Sequence, residues 1–253
     1  LSGATDNCIN IQAQGITFDC QGNLITGNAV TGIYSNQQHT IIKNCEISMA
    51  SAGGIGIELD NAHYSQIYDN ILNNQGTGIS LTQTSNTTIE NNEISYNSGS
   101  NIVLSESSDN QLINNNASYS EGGAGIALTQ TSNTIIGYNE VSNNYGSNIA
   151  LSESNNNQII NNIASYSEGG KGIEINSNSD YNLIQKNTCN YNKVNGGIQI
   201  AGGSDYNQII ENKVIGNEEY GIWIWVSDNN ILTNNLVKDN LIIPHIPNSS
   251  LIQ

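Results

Sequence analysis

Apolar residues alternate with small polar ones in short runs along most of this chain. Gly-Ile-Ser-Leu at 78–81, Thr-Ile-Glu-Asn at 88–91 and Gly-Ile-Ala-Leu at 125–128 are examples. Alternation of period two places every second side chain on one face, which is the signature of a half-buried strand. No run of ten or more residues carries the three-and-four spacing of a helix, and Asn, Ser and Gly are dense throughout. The strands recur at a fixed interval. Gly32-Ile33, Gly56-Ile57, Gly78-Ile79, Gly125-Ile126, Gly172-Ile173, Gly197-Ile198 and Gly221-Ile222 form one column, with Asn101-Ile102 and Asn148-Ile149 filling its gaps. Successive anchors lie 24, 22, 23, 24, 23, 24, 25 and 24 residues apart. A period of this size means that each unit buries its apolar face only against the units above and below it. The expected fold is all-β: a parallel β-helix of about ten coils, 22–25 residues each, with about three strands and three corners per coil.

Asparagine marks the corners. One column runs Asn70, Asn92, Asn115, Asn139, Asn162, Asn187, Asn212 and Asn235; a second runs Asn86, Asn110, Asn133, Asn157, Asn182, Asn207 and Asn230. Asn tolerates a left-handed backbone, and stacked amides form hydrogen-bonded ladders, so both columns read as corners rather than ligands. Residues 78–124 repeat at 125–171 almost residue for residue, an offset of 47. This two-coil block places Gln83, Glu106, Gln130 and Glu153 in one column, and interleaving amides with carboxylates spaces like charges along a ladder. Tyr96, Tyr119, Tyr166 and Tyr191 form a further column, broken by Asn143, that reads as a stack near a corner.

The expected organisation is a single domain over 1–253: N-terminal coil at 1–31, regular coils at 32–240 and a cap at 241–253. Pro244 and Pro247 suit that cap because they cannot donate ladder hydrogen bonds. Leu1 is not a natural start, so a signal peptide and a preceding cap are expected upstream. Cys20 and Cys45 continue the Asn70 column upward, 25 residues apart. That register brings them into disulfide range and implies an oxidising, extracellular or cell-surface location. Cys8 falls on the Gly32 column and Cys189 on an inward one.

Charge narrows the partners. With six lysines, no arginine and 22 acidic residues, the formal net charge is −16. Such a surface repels nucleic acid, anionic lipid and polyanionic sugars, and favours divalent cations and neutral partners. No apolar stretch approaches the length of a membrane span.

The opening strings Ile16-Thr-Phe-Asp-Cys-Gln-Gly22, Ile25-Thr-Gly27 and Ile41-Ile-Lys-Asn-Cys45, with the repeat over nearly the whole chain, resemble the right-handed parallel β-helix superfamily. That superfamily includes pectate lyases, polygalacturonases, alginate epimerases and carbohydrate-binding surface proteins. The short coils are similar to those of archaeal cell-surface proteins and of periplasmic accessory proteins for nitrous-oxide reductase maturation. Lyases of the superfamily imply a base for the uronate C5 proton and calcium or basic residues for its carboxylate. Here the lysines do not converge on one column. The Asn-Thr-Asp, Asp-Asp, Gly-His-Gly and Arg-Ile-Lys strings of polygalacturonases are absent.

Chemistry-bearing candidates remain few. Glu58 and Asp60, two apart on one strand, satisfy the carboxyl spacing of a glycosidase. His39 and His63, 24 apart, are the candidate metal ligands, with His245 and Met49 as the other soft or imidazole groups a copper site would want. The best binding surface is the outward column Tyr34, Glu58, Ser80, Val103, Ala127, Ala150, Glu174, Gln199 and Trp223, with Trp225 beside it. Small residues at its centre suit either a sugar chain or a neighbouring rod. The regular coils at 78–171 gather no acid, base and nucleophile. The sequence therefore favours a non-enzymatic structural or adhesive protein that assembles with itself and touches glycans, needing no cofactor. The alternative is a carbohydrate-active enzyme, or a calcium-dependent sugar-binding module, using Glu58, Asp60 and the aromatic ends.

Overall fold

A computed structural model of the chain describes residues 7–50 and 53–241. The expected cap at 241–253 lies, beyond its first residue, outside the described residues. The described strands are three to six residues long, and every pairing between them is parallel. They stack into two ten-stranded sheets and a third face made of a five-stranded and a two-stranded piece joined by isolated bridges. This is a solenoid of about ten turns. The first sheet holds the longest strands, such as Ile55–Asp60 and Thr77–Thr82.

The interior is built from columns, one residue per coil. Ile57, Ile79, Ile102 and Ile126 are fully buried on the first sheet, Ile67, Ile89, Leu112 and Ile136 on the second, and Leu72, Ile94 and Val141 on the third. Met49 is also fully buried in this interior.

The first asparagine column lies inside this core. Each side-chain Nδ2 donates to the Oδ1 of the Asn one coil on, from Asn70 to Asn92 (2.9 Å) through to Asn212 to Asn235 (3.0 Å). Each backbone N–H makes the same step, as from Asn139 to Asn162 Oδ1 at 2.9 Å. The left-handed conformation belongs instead to the residue before each ladder asparagine: Asp69, Asn91, Asn114, Tyr138, Asn161, Lys186, Glu211 and Asn234. The expectation that the asparagines are themselves the corners is thus corrected: the corner turns one residue earlier and aims the amide inward. Cys20 and Cys45 occupy the top of this column and are bridged, Cα to Cα 4.8 Å, with Cys45 N–H donating to Asn70 Oδ1.

The second column needs a similar correction. Asn86 and Asn133 adopt φ of +56° and +54° and sit at the corner itself. The residues in register with Asn110 and Asn157 are Thr87 and Thr134, whose N–H groups donate to those amides at 2.8 and 2.9 Å. Threonine replaces the amide in these coils, and the neighbouring Asn mimics the pattern one place early. A third ladder, of hydroxyls, runs beside them through Thr84, Ser107, Thr131, Ser154, Ser179, Ser204 and Ser227.

The alternation of Gly and Asn at the first-sheet anchor has a packing cause. A Cβ on Gly125 would stand 2.2 Å from Val141 Cγ1 and 2.6 Å from Asn144 Nδ2. Where Asn148 replaces the glycine, the same coil carries Ala164 and Ser167 in place of the valine and asparagine. The amide has moved across the lumen, and the ladder zigzags: Asn101 Nδ2 to Asn144 Oδ1 (3.1 Å), Asn144 to Asn148 (2.9 Å), Asn148 to Asn192 (3.2 Å). We expect Gly125→Asn alone to lower stability by about 2–3 kcal/mol through overpacking. Adding Val141→Ala and Asn144→Ser should recover most of it, read as the urea midpoint of the three proteins.

On the outside, Gln83 donates to Glu106 (2.9 Å) and Gln130 to Glu153 (2.8 Å), so each interleaved amide pairs with a carboxylate. The tyrosine column stacks as Tyr96 on Tyr119 and Tyr166 on Tyr191, centroids 5.3 and 5.4 Å apart, every ring at a left-handed corner. The two unpaired cysteines differ in access. Cys8 is exposed, whereas Cys189 is enclosed and burial pushes its thiol up, away from the reactive thiolate. Titration of the folded protein with an aromatic disulfide at pH 8 should release one equivalent, and two after denaturation.

Candidate active site on the first sheet

Strand register decides which outward side chains share a face. Tyr34 pairs with Glu58, Glu58 with Ser80, and the column continues through Val103, Ala127, Ala150, Glu174 and Gln199 to Trp223 without a slip. These residues are partly shielded and Gln199 is buried, whereas outward residues of the other sheets, such as Leu24, Glu46, Gln66 and Glu93, are exposed. The column therefore forms a partly shielded strip along the first sheet. The Ser-Glu-Gly-Gly loops at 120–123 and 167–170 run into its edge just ahead of the first-sheet strands.

The two glutamates of the column are held alike and charged differently. Thr31 Oγ1 donates to Glu58 Oε2 at 2.9 Å, and Ser147 Oγ donates to Glu174 Oε2 at 2.7 Å, each hydroxyl 27 residues earlier and one coil up. Glu174 also receives Lys171 Nζ at 3.0 Å, a partly buried ion pair. Among the described residues no cation pairs with Glu58. Its neighbours are acidic and phenolic. Asp60 lies two residues on, on the same outward face and about 6.5–7 Å along the strand. Tyr34 sits one coil above; burial first, then Asp60 and Glu58, raise its phenol above the ordinary value, so it stays protonated. An uncompensated carboxylate pair beside a neutral proton donor is a chemically competent arrangement for acid–base work.

The aromatic end is compact. Tyr220 stacks on Trp223 with centroids 5.0 Å apart, and Trp223 on Trp225 at 6.0 Å, with planes within 21° of parallel. The imidazoles do not converge. The two residues lie in adjacent coils, His39 N–H donating to His63 O at 2.9 Å, but the His39 ring stacks on Tyr64 at 5.4 Å and His63 Nδ1 accepts the Ser85 N–H. The corner is one residue out of step with a simple 24-residue count. Among the described residues no group of three or more His, Cys, Asp or Glu is arranged to hold a metal ion.

Two surface cavities lie elsewhere. One of about 350 Å³ is lined by Gln21, Asn44, Glu46, Asp69 and Ile71, the other of about 210 Å³ by Asn74, Tyr96, Ser98 and Glu121. Gln21, Asn44, Asp69, Asn74 and Tyr96 are left-handed corner residues, so both cavities follow the corners of the solenoid. Neither sets a phenol beside a pair of unpaired carboxylates, and we place the chemistry on the first sheet.

A parallel solenoid of about ten turns defines the class: a β-helix. The model of the right-handed beta helix region matches residues 7–164 and 109–237, and the chain belongs to that family. Among curated proteins the sequence finds no match. Solved structures share its fold at low identity. The A-module of mannuronan C-5 epimerase AlgE6 from Azotobacter vinelandii is 16% identical with a TM-score of 0.72, over 89% of this chain and 68% of that one. An alginate lyase from Paenibacillus sp. is 14% identical with a TM-score of 0.70, over 98% and 94%. The DFA-IIIase of Arthrobacter chlorophenolicus A6 is 12% identical with a TM-score of 0.68, over 80% and 56%. These neighbours are enzymes, and they overturn the sequence-based preference for a non-enzymatic structural or adhesive role. The strip from Ser80 to Ala150, which suits either a sugar chain or a neighbouring rod by sequence, runs unbroken along the first sheet.

Proposed function

We propose that the protein is a carbohydrate-active enzyme that hydrolyses a glycosidic bond of a polysaccharide lying in the first-sheet groove. The observation that carries this reading is the Glu58–Asp60 pair, free of any cation, beside the protonated phenol of Tyr34. The Thr31 hydroxyl fixes the Glu58 carboxylate through a 2.9 Å hydrogen bond, which orients it to activate water. Asp60 protonates the departing glycosidic oxygen, and Tyr34 donates to a sugar hydroxyl. Two carboxylates on alternate residues of one strand leave room for water between them, the spacing of an inverting hydrolase.

Lyase chemistry is less well served. It needs a base for the C5 proton and positive charge for the uronate carboxylate, and Lys171, just ahead of the strand Ile173–Asn176, is about five coil rises away and tied to Glu174. With a net charge of −16, an uncharged glycan is the favoured substrate. The Cys20–Cys45 bridge supports a location outside the cytosol. The test is reducing-end release from a panel of neutral polysaccharides (xylan, mannan, galactan, β-glucan, inulin), with alginate and pectate as anionic controls. Cleavage of a neutral member supports the reading; unsaturated products from alginate or pectate would replace it with a lyase.

A further inference from the structure

The partly shielded strip, which the proposed function takes as the substrate groove, does not end at the acid pair. Its floor continues from Glu58 through Ser80, Val103, Ala127 and Ala150, side chains too small to block a chain lying on them. At Glu174 the carboxylate is neutralised by Lys171, so the path carries no net charge there. Seven coil rises from Glu58, about 34 Å along the rod, it meets the row Tyr220, Trp223 and Trp225. These rings stack across the width of the last first-sheet strand, Ile222–Trp225. Trp223 occupies the column one coil below the buried Gln199, while Trp225 remains 54% exposed with one face left uncovered by the stack. An indole anchored on one side by a second indole and open on the other is a rigid apolar plate. It stands in line with a groove already suited to sugar.

We infer that this row is a distal sugar-binding subsite of the same groove, with the open face of Trp225 stacking on the apolar face of a pyranose or furanose ring. The substrate class is then a long linear glycan that reaches from Trp225 to Glu58, and chain length is read by occupancy of the far end. The inference rests on the groove being the substrate path. It does not rest on Glu58 and Asp60 being the catalytic pair.

Affinity electrophoresis separates the two. The Glu58→Gln protein, which binds without turnover, is run through gels containing each of the neutral polysaccharides named above, with and without Trp225→Ala. The same pair is titrated with trisaccharides from each polymer. Removal of the plate should weaken polymer retardation about tenfold while changing trisaccharide affinity less than twofold. Trp225→Phe, which keeps a ring in the stack, should restore most of the polymer affinity and guards against a loss caused by misfolding. Equal retardation with and without the indole, or no retardation by any polymer, overturns the subsite. Retardation that depends on Trp225 in a protein that cleaves nothing would retain the subsite and discard the hydrolase.

Discussion

Replacing Glu58 by Gln, or Asp60 by Asn, should lower hydrolysis by about 10²–10⁴-fold, with binding to the polymer retained. Both changes keep the shape of the side chain and remove its charge. Neither residue belongs to the interior ladders, so the folded state should be unaffected, checked by an unchanged melting temperature. Glu174→Gln supplies the internal control. It has the same column position and the same hydroxyl anchor, yet its carboxylate is already neutralised by Lys171, so its effect on rate should be small. A comparable loss for Glu58→Gln and Glu174→Gln would contradict the assignment, because it would show that the column acts as a uniform surface. Tyr34→Phe, which deletes only the proton donor, should fall between them.

The largest effect on stability is expected inside the coil, at Asn162. Its Oδ1 accepts from the backbone N–H and Nδ2 of Asn139, at 2.9 and 3.0 Å. Its Nδ2 donates to Ile136 O, to Ile160 O and to Asn187 Oδ1, between 2.9 and 3.2 Å. In Asn162→Leu the isobutyl group fills the volume but leaves several of these buried partners without a bond, at about 1–3 kcal/mol for each. A net loss of about 4 kcal/mol or more is expected from urea unfolding. Tyr166→Ser, one coil-corner away and exposed, loses only a ring stack and should cost about 1 kcal/mol. Equal effects at the two positions would mean that the ladder contributes no more than surface stacking does.

Much of the fold was legible because a solenoid repeats its constraints. The Gly-Ile anchor, the Asn70 column and the Cys20–Cys45 register are each fixed by a count along the chain, and a coil that broke the count would expose its neighbours' core. Errors arose where one coil substitutes a different group for the same job. Thr87 and Thr134 take the place of amides, and the adjacent Asn86 and Asn133 imitate the missing members. The hydroxyl ladder from Thr84 to Ser227 was hidden because Ser and Thr are common everywhere in the sequence. His39 and His63 are neighbours in adjacent coils, as the 24-residue count implies, but the corner stacks the His39 ring on Tyr64 instead. The acid pair was visible in sequence, but its distinction from Glu174 was not. That distinction depends on the side-chain pairing of Lys171 with Glu174, which spacing along the chain alone does not settle.

The near-identical blocks at 78–124 and 125–171 occupy the stretch between Glu58 and Trp223, and each begins and ends at the same point of a coil. Loss or gain of one block would therefore rejoin like to like and move the two ends of the groove by about 10 Å, leaving both intact. Such tandem, nearly identical stretches are where unequal recombination acts most readily. The molecule is in this sense a ruler whose graduations are copies in its gene, able to change its reach in a single event without redesigning either end.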